Sequence, residues 1–494
     1  MINKLRIAIL SLTVFASSTV FAQDKKDIFN PVNTSVTSQT IAPDARAAGM
    51  GDVGAATDPD VNSQYWNPAK YPFNISRAGV SLNYTPWLRQ LVSDIDLAYL
   101  AGYYRIGDYS AVSASMRYFS LGEVQMTDGS NMTINPYEMS MDVAYSLMLS
   151  EHFSLGAAVR WIYSDLTYNY TDDTAPGSAF AADLSCYYQN YINIGERECQ
   201  LGLGMNISNI GSKITFGGDN RSEFIPTNLR LGASLMIPID EFNRFTIAAD
   251  ANKLLVPTYP KRKADETQVD YDNRLQKEYY DVSSISGIFK SFGDAPNGAS
   301  EELQEIQWSL GAEYTYNDKF SLRAGYHHES ENKGNRKYFT VGAGFKMNVF
   351  SLDAGYVIAT AKNNPLDQTL RFSLSFDMDG IKDLFKRRGS SSCTWCRKET
   401  PVLLKTYKAF KDKNFTILGV STDFKRAEWL KAIKDDGAIW DHLLLKGNDR
   451  KKIMDDYSIV GIPQILLVAP DGTIIAKNLR GNRIFETVKK AVTK

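Results

Sequence analysis

From Ala78 onward the chain alternates apolar and polar residues with a period of two, in one segment after another, and this constrains the fold more than any other feature. Between Phe153 and Ser164, the residues Phe153, Leu155, Ala157, Val159, Trp161 and Tyr163 share one face of a strand. Ser154, Gly156, Arg160 and Ser164 share the other, with Ala158 and Ile162 as apolar exceptions. The last such segment sets Leu370, Phe372, Leu374 and Phe376 against Arg371, Ser373, Ser375 and Asp377. We count roughly fourteen of these segments, an even number, as a closed outer-membrane β-barrel with apolar-out and polar-in strands requires. They begin near Val80, Ile95, Ala111, Tyr137, Phe153, Ala179, Gln200, Leu229, Phe245, Ile306, Phe320, Tyr338, Ser351 and Gln368. A soluble β-sandwich is the alternative, and the connectors oppose it. Gly107-Asp108, Glu151-His152, Asn317-Asp318-Lys319 and Asn348-Val349-Phe350 are short, while the polar stretches Gly122 to Pro136, Ile207 to Asn228 and Asn252 to Glu305 are long. Barrels of this kind turn tightly on the periplasmic side and loop widely outside. Aromatic residues make up 12% of the chain, including 27 Tyr, which suits a barrel that needs amphipathic rings at both membrane surfaces.

The N-terminus reads as a secretory leader over residues 1–22: Lys4 and Arg6, an apolar run from Ile7 to Phe21, and small residues Val20 and Ala22 before Gln23. That run is too short to span a bilayer as a helix. Residues 23–77 are expected to form a plug, 78–378 the barrel, 379–392 a linker and 393–494 a separate domain. The expected path starts the N-terminal segment on the inner side, raises the first strand, and returns the chain to the periplasm after the last.

The expected plug holds a glycine-rich stretch, Ile41 to Gly54, followed by Asn67-Pro68-Ala69. Glycines there allow tight backbone turns that a β-carbon would obstruct. This pattern resembles the N-terminal hatch of the FadL family of fourteen-stranded barrels, which carry hydrophobic molecules. Closer likenesses follow in Val80-Ser-Leu-Asn-Tyr-Thr-Pro-Trp-Leu88, Leu97 to Tyr104, Arg117-Tyr-Phe-Ser-Leu-Gly122, Asn206-Ile-Ser-Asn-Ile-Gly211, Phe224-Ile-Pro-Thr-Asn-Leu-Arg230 and Asn252-Lys-Leu-Leu-Val-Pro257. Together, over about residues 41–376, they resemble the PorV family of the type IX secretion system. The resemblance implies a barrel that is not an enzyme. It would collect secreted cargo by a C-terminal signal at the translocon and deliver it to a sortase-like attachment complex, embedded in outer-membrane lipid. A FadL-like channel for small hydrophobic molecules is the alternative. Within the long outer loop, Ile285, Ile288, Phe289 and Phe292 form an apolar patch suited to cargo.

The tail differs in chemistry. From Gly389 onward there are 20 Lys and Arg against 12 Asp and Glu, so the net −1 of the chain leaves −9 for the rest. Without a clustered basic stripe this composition gives no reason to expect nucleic-acid binding. Cys393-Thr-Trp-Cys396 opens a helix-favouring run, Arg397 to Lys413, where helix N-terminal N–H groups stabilise a thiolate. Cys393 is therefore the candidate nucleophile and Cys396 the resolving thiol. Phe415 to Thr422 and Ile465 to Val468 read as strands, Lys425 to Lys434 and Arg450 to Tyr457 as helices, and a last helix begins near Ile484. With Val460-Gly-Ile-Pro463 and Pro470-Asp-Gly472, the pattern resembles the TlpA/ResA branch of thioredoxin-like periplasmic disulfide reductases. The resemblance implies that Pro463 packs beside the cysteines, in a cis peptide with Ile462, and that the partners are periplasmic thiols. A membrane-tethered thiol-disulfide oxidoreductase is thus a third reading of the whole chain.

One family element is missing. Where relatives run a central strand into the first cysteine, this chain has Asp383-Leu-Phe-Lys-Arg-Arg-Gly-Ser-Ser-Ser392, too charged and flexible to be buried. The two strands meant to flank it would then sit about two spacings of ~4.8 Å apart, beyond hydrogen-bond reach. No cofactor or metal is expected: a zinc site would need more ligands beside the cysteine pair than His442, and His327 and His328 fall on opposite faces of one strand. Cys186 and Cys199, near the two arms of one hairpin, are a candidate disulfide.

Overall fold

A computed structural model describes residues 29–378 and 394–492, except 90–91, 93, 126–132, 167–174, 196, 217–220, 241, 264, 348 and 361–365 in the first part and 422–425, 446–452, 454–455, 458 and 460–462 in the second. The expected leader, the linker and Cys393 lie outside the described residues. The chain forms two compact units, Met1–Ile381 and Lys382–Lys494.

The first unit is a closed barrel in which each strand pairs antiparallel with the next. Its fourteen strands are β1 (Ala78–Pro86), β2 (Asp96–Ile106), β3 (Ser110–Ser120), β4 (Tyr137–Ser150), β5 (Phe153–Asp165), β6 (Gly177–Ile194), β7 (Arg197–Gly211), β8 (Asn228–Pro238), β9 (Asn243–Leu254), β10 (Gln307–Tyr316), β11 (Phe320–His328), β12 (Lys337–Lys346), β13 (Phe350–Ala359) and β14 (Leu370–Asp377). Closure is made by β1 on β14, from Gly79 opposite Asp377 to Tyr84 opposite Phe372. No edge is left for another chain to extend.

The period-two pattern sets the two faces as expected. On β14, Arg371, Ser373 and Ser375 are buried inside while Leu370, Phe372 and Phe376 are exposed outside. On β5, Ser154, Arg160 and Ser164 point in, and Leu155 and Val159 point out. Aromatic rings gather at both ends of the outer face. Tyr118, Tyr137 and Tyr163 pack in series near the outer end, as do Trp308, Tyr326 and Phe339, while Phe320 and Phe345 meet near the inner end. These rings sit where headgroups meet hydrocarbon.

Residues 29–77 enter the lumen. The direction corrects one expectation: the described chain begins among the outer loops, not at the inner end. Asn30 donates to Glu301 at 3.0 Å and to the Asn332 carbonyl at 2.7 Å, both on outer loops. The segment then descends through α1 (Ala45–Ala48) and α2 (Ser63–Trp66) to the inner rim, where Arg105 binds the Asn74 carbonyl at 2.7 Å. Strand β1 still rises from the periplasmic end.

The cysteine pair is a second correction. Cys186 and Cys199 are both free. In the β6–β7 register Cys186 lies opposite Met205 and Cys199 opposite Ile192, so the two thiols are far out of step along the hairpin.

The loop between β9 and β10 carries α3 (Gln268–Leu275), α4 (Ser284–Lys290) and α5 (Ala299–Gln304). In the second unit, α6 (Thr394–Phe410), α7 (Arg426–Asp435) and α8 (Asn482–Val492) accompany strands β15 (Leu418–Ser421), β16 (Asp441–Leu444), β17 (Leu467–Val468) and β18 (Ile474–Ala476). Helix α8 buries Ile484 and Val488 and brings Phe485 to 5.1 Å from Phe410 of α6. Strands β15 and β16 pair in parallel, β17 and β18 antiparallel, and the two pairs remain separate sheets. Among the described residues nothing fills the place of the missing central strand.

Candidate functional site

The lumen is closed by polar side chains that seize plug backbone and plug charges. Asp250 of β9 accepts from the Gly54 and Ala55 amides at 2.8 and 2.9 Å. Asn206 and Asn67 bind carbonyls across the same seam, at 3.1 Å to Trp66 and 2.9 Å to Cys186. Charge is matched as well. Arg46 of the plug reaches Glu313 at 3.0 Å and Asp60 at 2.9 Å, while Glu313 also takes Arg323 at 2.6 Å. Asp52 takes Arg371 at 2.5 Å and the Tyr338 hydroxyl at 2.6 Å. Removing one partner from such a buried pair strands the other charge, at a cost on the order of 3–5 kcal/mol.

Close approach of the plug depends on strand glycines. A Cβ built on Gly325 would stand 2.1 Å from the Gly51 nitrogen, and one on Gly204 would stand 2.1 Å from the Ala55 oxygen. These inward glycines leave room for a second backbone.

Above the plug, facing the outer loops, is a cup with a cavity volume of about 80 Å³. Its wall includes Arg160, Arg230, Arg336 and Arg371, the aromatic residues Tyr65, Trp66, Trp87 and Tyr338, and a set of amide side chains. It is too small for a folded domain. His327 faces this lumen, stacked at 4.8 Å on Tyr338, while its neighbour His328 stacks at 4.9 Å on Trp308 of the outer face. The opposite-face expectation for the two histidines holds. The cup itself escaped sequence reading because its parts lie far apart in the chain: Arg230 binds Tyr65 from 165 positions away.

The long outer loop is a folded element. Phe224, Val256, Leu275 and Tyr279 form its core, and the Tyr279 hydroxyl donates to the Asn33 carbonyl at 3.2 Å. Lys253 meets Glu302 and Glu305 at 3.1 and 2.5 Å, and Lys333 meets Glu301 and Glu305 at 2.7 and 2.9 Å. Burial by itself would raise the Glu301 pKa, but the Lys333 ammonium and the Asn30 amide turn the net shift downward. On α4, Gly287 is the buried contact, against Phe224 and Pro257. Ile285 and Phe289, at i and i+4 on the helix, and Phe292, two residues past its end, are left exposed at 56%, 74% and 54%, with Ile288 half-buried. The predicted patch is therefore an apolar stripe on a well-anchored loop.

In the second unit Cys396 lies in the first turn of α6 and is disulfide-bonded. Pro463 is half-buried, and its carbonyl accepts from Arg480. Cys393 and Ile462 lie outside the described residues, so the predicted nucleophile and the predicted cis peptide have no geometry here.

Residues 22–261 match the family model of the type IX secretion system protein PorV, and residues 388–474 match a thioredoxin-like family model. No curated protein matches the chain. Among solved structures, the tail is similar to the thioredoxin domain of a thiol-disulfide oxidoreductase from Bacteroides vulgatus, with 55% identity over 20% of this chain and 72% of that one (TM-score 0.20). The Pseudomonas putida toluene transporter TodX is 12% identical over 67% of this chain and 96% of its own (TM-score 0.39). A Pseudomonas aeruginosa FadL homologue is 11% identical over 70% and 99% (TM-score 0.36). The PorV match covers just under half of the chain, within the part that forms the closed outer-membrane barrel, and the tail is thioredoxin-like over residues 388–474.

Proposed function

We propose that the barrel holds secreted cargo at its outer face and passes it from the translocon to a surface attachment complex. The observation that carries this reading is the pairing of a plugged lumen with an exposed apolar stripe on an anchored outer loop. A plug fixed by buried ion pairs favours a docking role over passage through the barrel. Ile285, Phe289 and Phe292 offer the desolvation energy that a docking partner needs, about 1.5–3 kcal/mol for each large side chain fully covered. Cargo recognised by a C-terminal signal, the translocon and a sortase-like complex are the partners this reading requires.

The disulfide at Cys396 favours a second activity for the tail. In the dithiol form the Cys393 thiolate would attack a partner disulfide, forming a mixed disulfide. Cys396 would then close the internal disulfide and release the partner as two thiols, so two electrons pass to the partner. Pro463 would present backbone to the partner strand, as the family resemblance implies.

The test is surface display of cargo in a strain lacking the native protein. Four chains are compared: full length, a chain stopped after Asp379, Cys393→Ser with Cys396→Ser, and Ile285→Asp with Phe289→Asp and Phe292→Asp. Loss of display in the aspartate variant alone, at unchanged barrel level, is the expected result. Display that persists there removes the stripe from the cargo path. If the truncation and the serine pair both fail while barrel levels hold, the tail thiols take part in secretion.

A further inference from the structure

We propose that the outer cup is a receptor for a carboxylate at the end of an extended polypeptide, read by Arg230. The inference rests on the reading of the barrel as a cargo binder and names what the cup itself would take.

Among the described residues, four arginines and one carboxylate, Asp52, line the cup. Three of the four are neutralised: Arg160 by Asp142 and Asp183, Arg336 by Glu329, and Arg371 by Asp52. Arg230 is different. Its side chain is nine-tenths buried, at 8% exposure for the residue, and it forms no ion pair among the described residues. Its Nε donates to the Asn252 side-chain oxygen at 2.8 Å and its Nη1 to the Tyr65 carbonyl at 3.4 Å, both uncharged acceptors. Asp250, an acid of the adjacent strand, has its Oδ2 on the Gly54 and Ala55 amides and its Oδ1 without a hydrogen-bond partner; its charge acts on Arg230 at a distance, with no ion pair between them.

A guanidinium has five N–H donors in a planar fork, so most of the donors of Arg230 remain for something else. The fork lies over two rings, Trp66 at 4.5 Å and Tyr65 at 5.1 Å. Cation–π contact compensates only part of the desolvation of a buried cation. A carboxylate supplies what is missing, because its two oxygens match the fork. Nearby on the same wall, the Nε of Arg371 is also buried without an acceptor. The neighbours decide what the carboxylate is attached to. The Asn209 amide is already engaged by Arg160 and the Pro226 carbonyl, but the amide oxygens of Asn228 and Gln307 are acceptors of the kind that pair with peptide N–H groups, and Trp87 and Leu366 add apolar surface.

The experiment uses the full chain in detergent micelles. The probe is a fluorescein-labelled octapeptide of alternating valine and threonine, prepared with a free C-terminal carboxylate and as the C-terminal amide, with acetate as competitor. Fluorescence anisotropy is expected to show the acid binding at least tenfold more tightly than the amide. Arg230→Gln should erase that preference, and Arg230→Lys, which keeps the charge but loses the fork, should retain only part of it. The heat-dependent gel shift of each variant reports whether the barrel is intact. Equal binding of acid and amide, binding of neither, or a preference that survives Arg230→Gln overturns the inference. Acetate competing as well as the peptide assigns the site to small acids and overturns the polypeptide end. Cargo display that persists when the acid preference is absent sinks this inference and leaves the cargo-binding reading standing.

Discussion

At the scale of single residues, the plug is held by absences as much as by contacts. Gly325 and Gly204 leave the space that plug backbone occupies, and neither that backbone nor the strand can retreat cheaply. Gly325→Ala should therefore unseat the plug while leaving the barrel hydrogen bonds in place. In planar bilayers the variant is expected to conduct well above the wild-type level, with Gly293→Ala, which has open space around it, as the unchanged control. Conductance equal in all three would mean that the plug absorbs the extra carbon. These glycines were visible in the sequence but their purpose was not, since alternation places a residue on the inner face without saying what lies across from it. The same limit hid Arg230, whose ring and amide partners come from Tyr65, Trp66 and Asn252.

At the scale of elements, the alternating pattern was almost sufficient for the barrel. Predicted and observed strand starts differ by three residues at most, as at Gln200 against Arg197, because frayed ends are set by turn geometry and not by the apolar period. The run Asp441-His-Leu-Leu444 is a strand that the pattern did not reveal, as it pairs in parallel beside β15 and has no alternation of its own. The direction of the plug was misjudged because it is fixed by contacts such as Asn30 to Glu301, 271 residues apart. The stretch read as lacking the central strand of the tail, Asp383 to Ser392, lies outside the described residues; in β15 and β16, Leu418, Val420 and Leu443 share an exposed face. The outer loop gives a pH prediction. A carboxylate whose folded pKa lies below its ordinary value stabilises the fold above that value, and the stabilisation is lost as pH falls through the folded one. Glu301 is shifted down from 4.5, so the loop tie through Lys333 and Asn30 should hold at neutral pH and loosen below that value. Limited proteolysis with an acid-active protease should cut the loop faster as pH drops below 4.5, and Glu301→Gln should cut readily at every pH. A cleavage rate flat across that window would remove Glu301 from the tie.

At the scale of the whole molecule, both ends of the barrel wall lie on one side: β1 leaves the plug at the rim where Arg105 holds Asn74, and β14 returns beside it. An epitope inserted at Gly293 should be digested by protease added to intact cells. One placed after Lys494 should survive until the outer membrane is permeabilised. Digestion of both in intact cells would put the tail outside and contradict the barrel orientation. The parity of the wall has a meaning for what can be joined to it. Gaining or losing a hairpin changes the strand number by two and leaves the address of everything downstream unchanged. Gaining or losing one strand would send the same tail to the opposite surface. A domain that must stay on the inner side can thus ride on this scaffold through any amount of hairpin remodelling, yet it would be stranded outside by a single step that made the count odd.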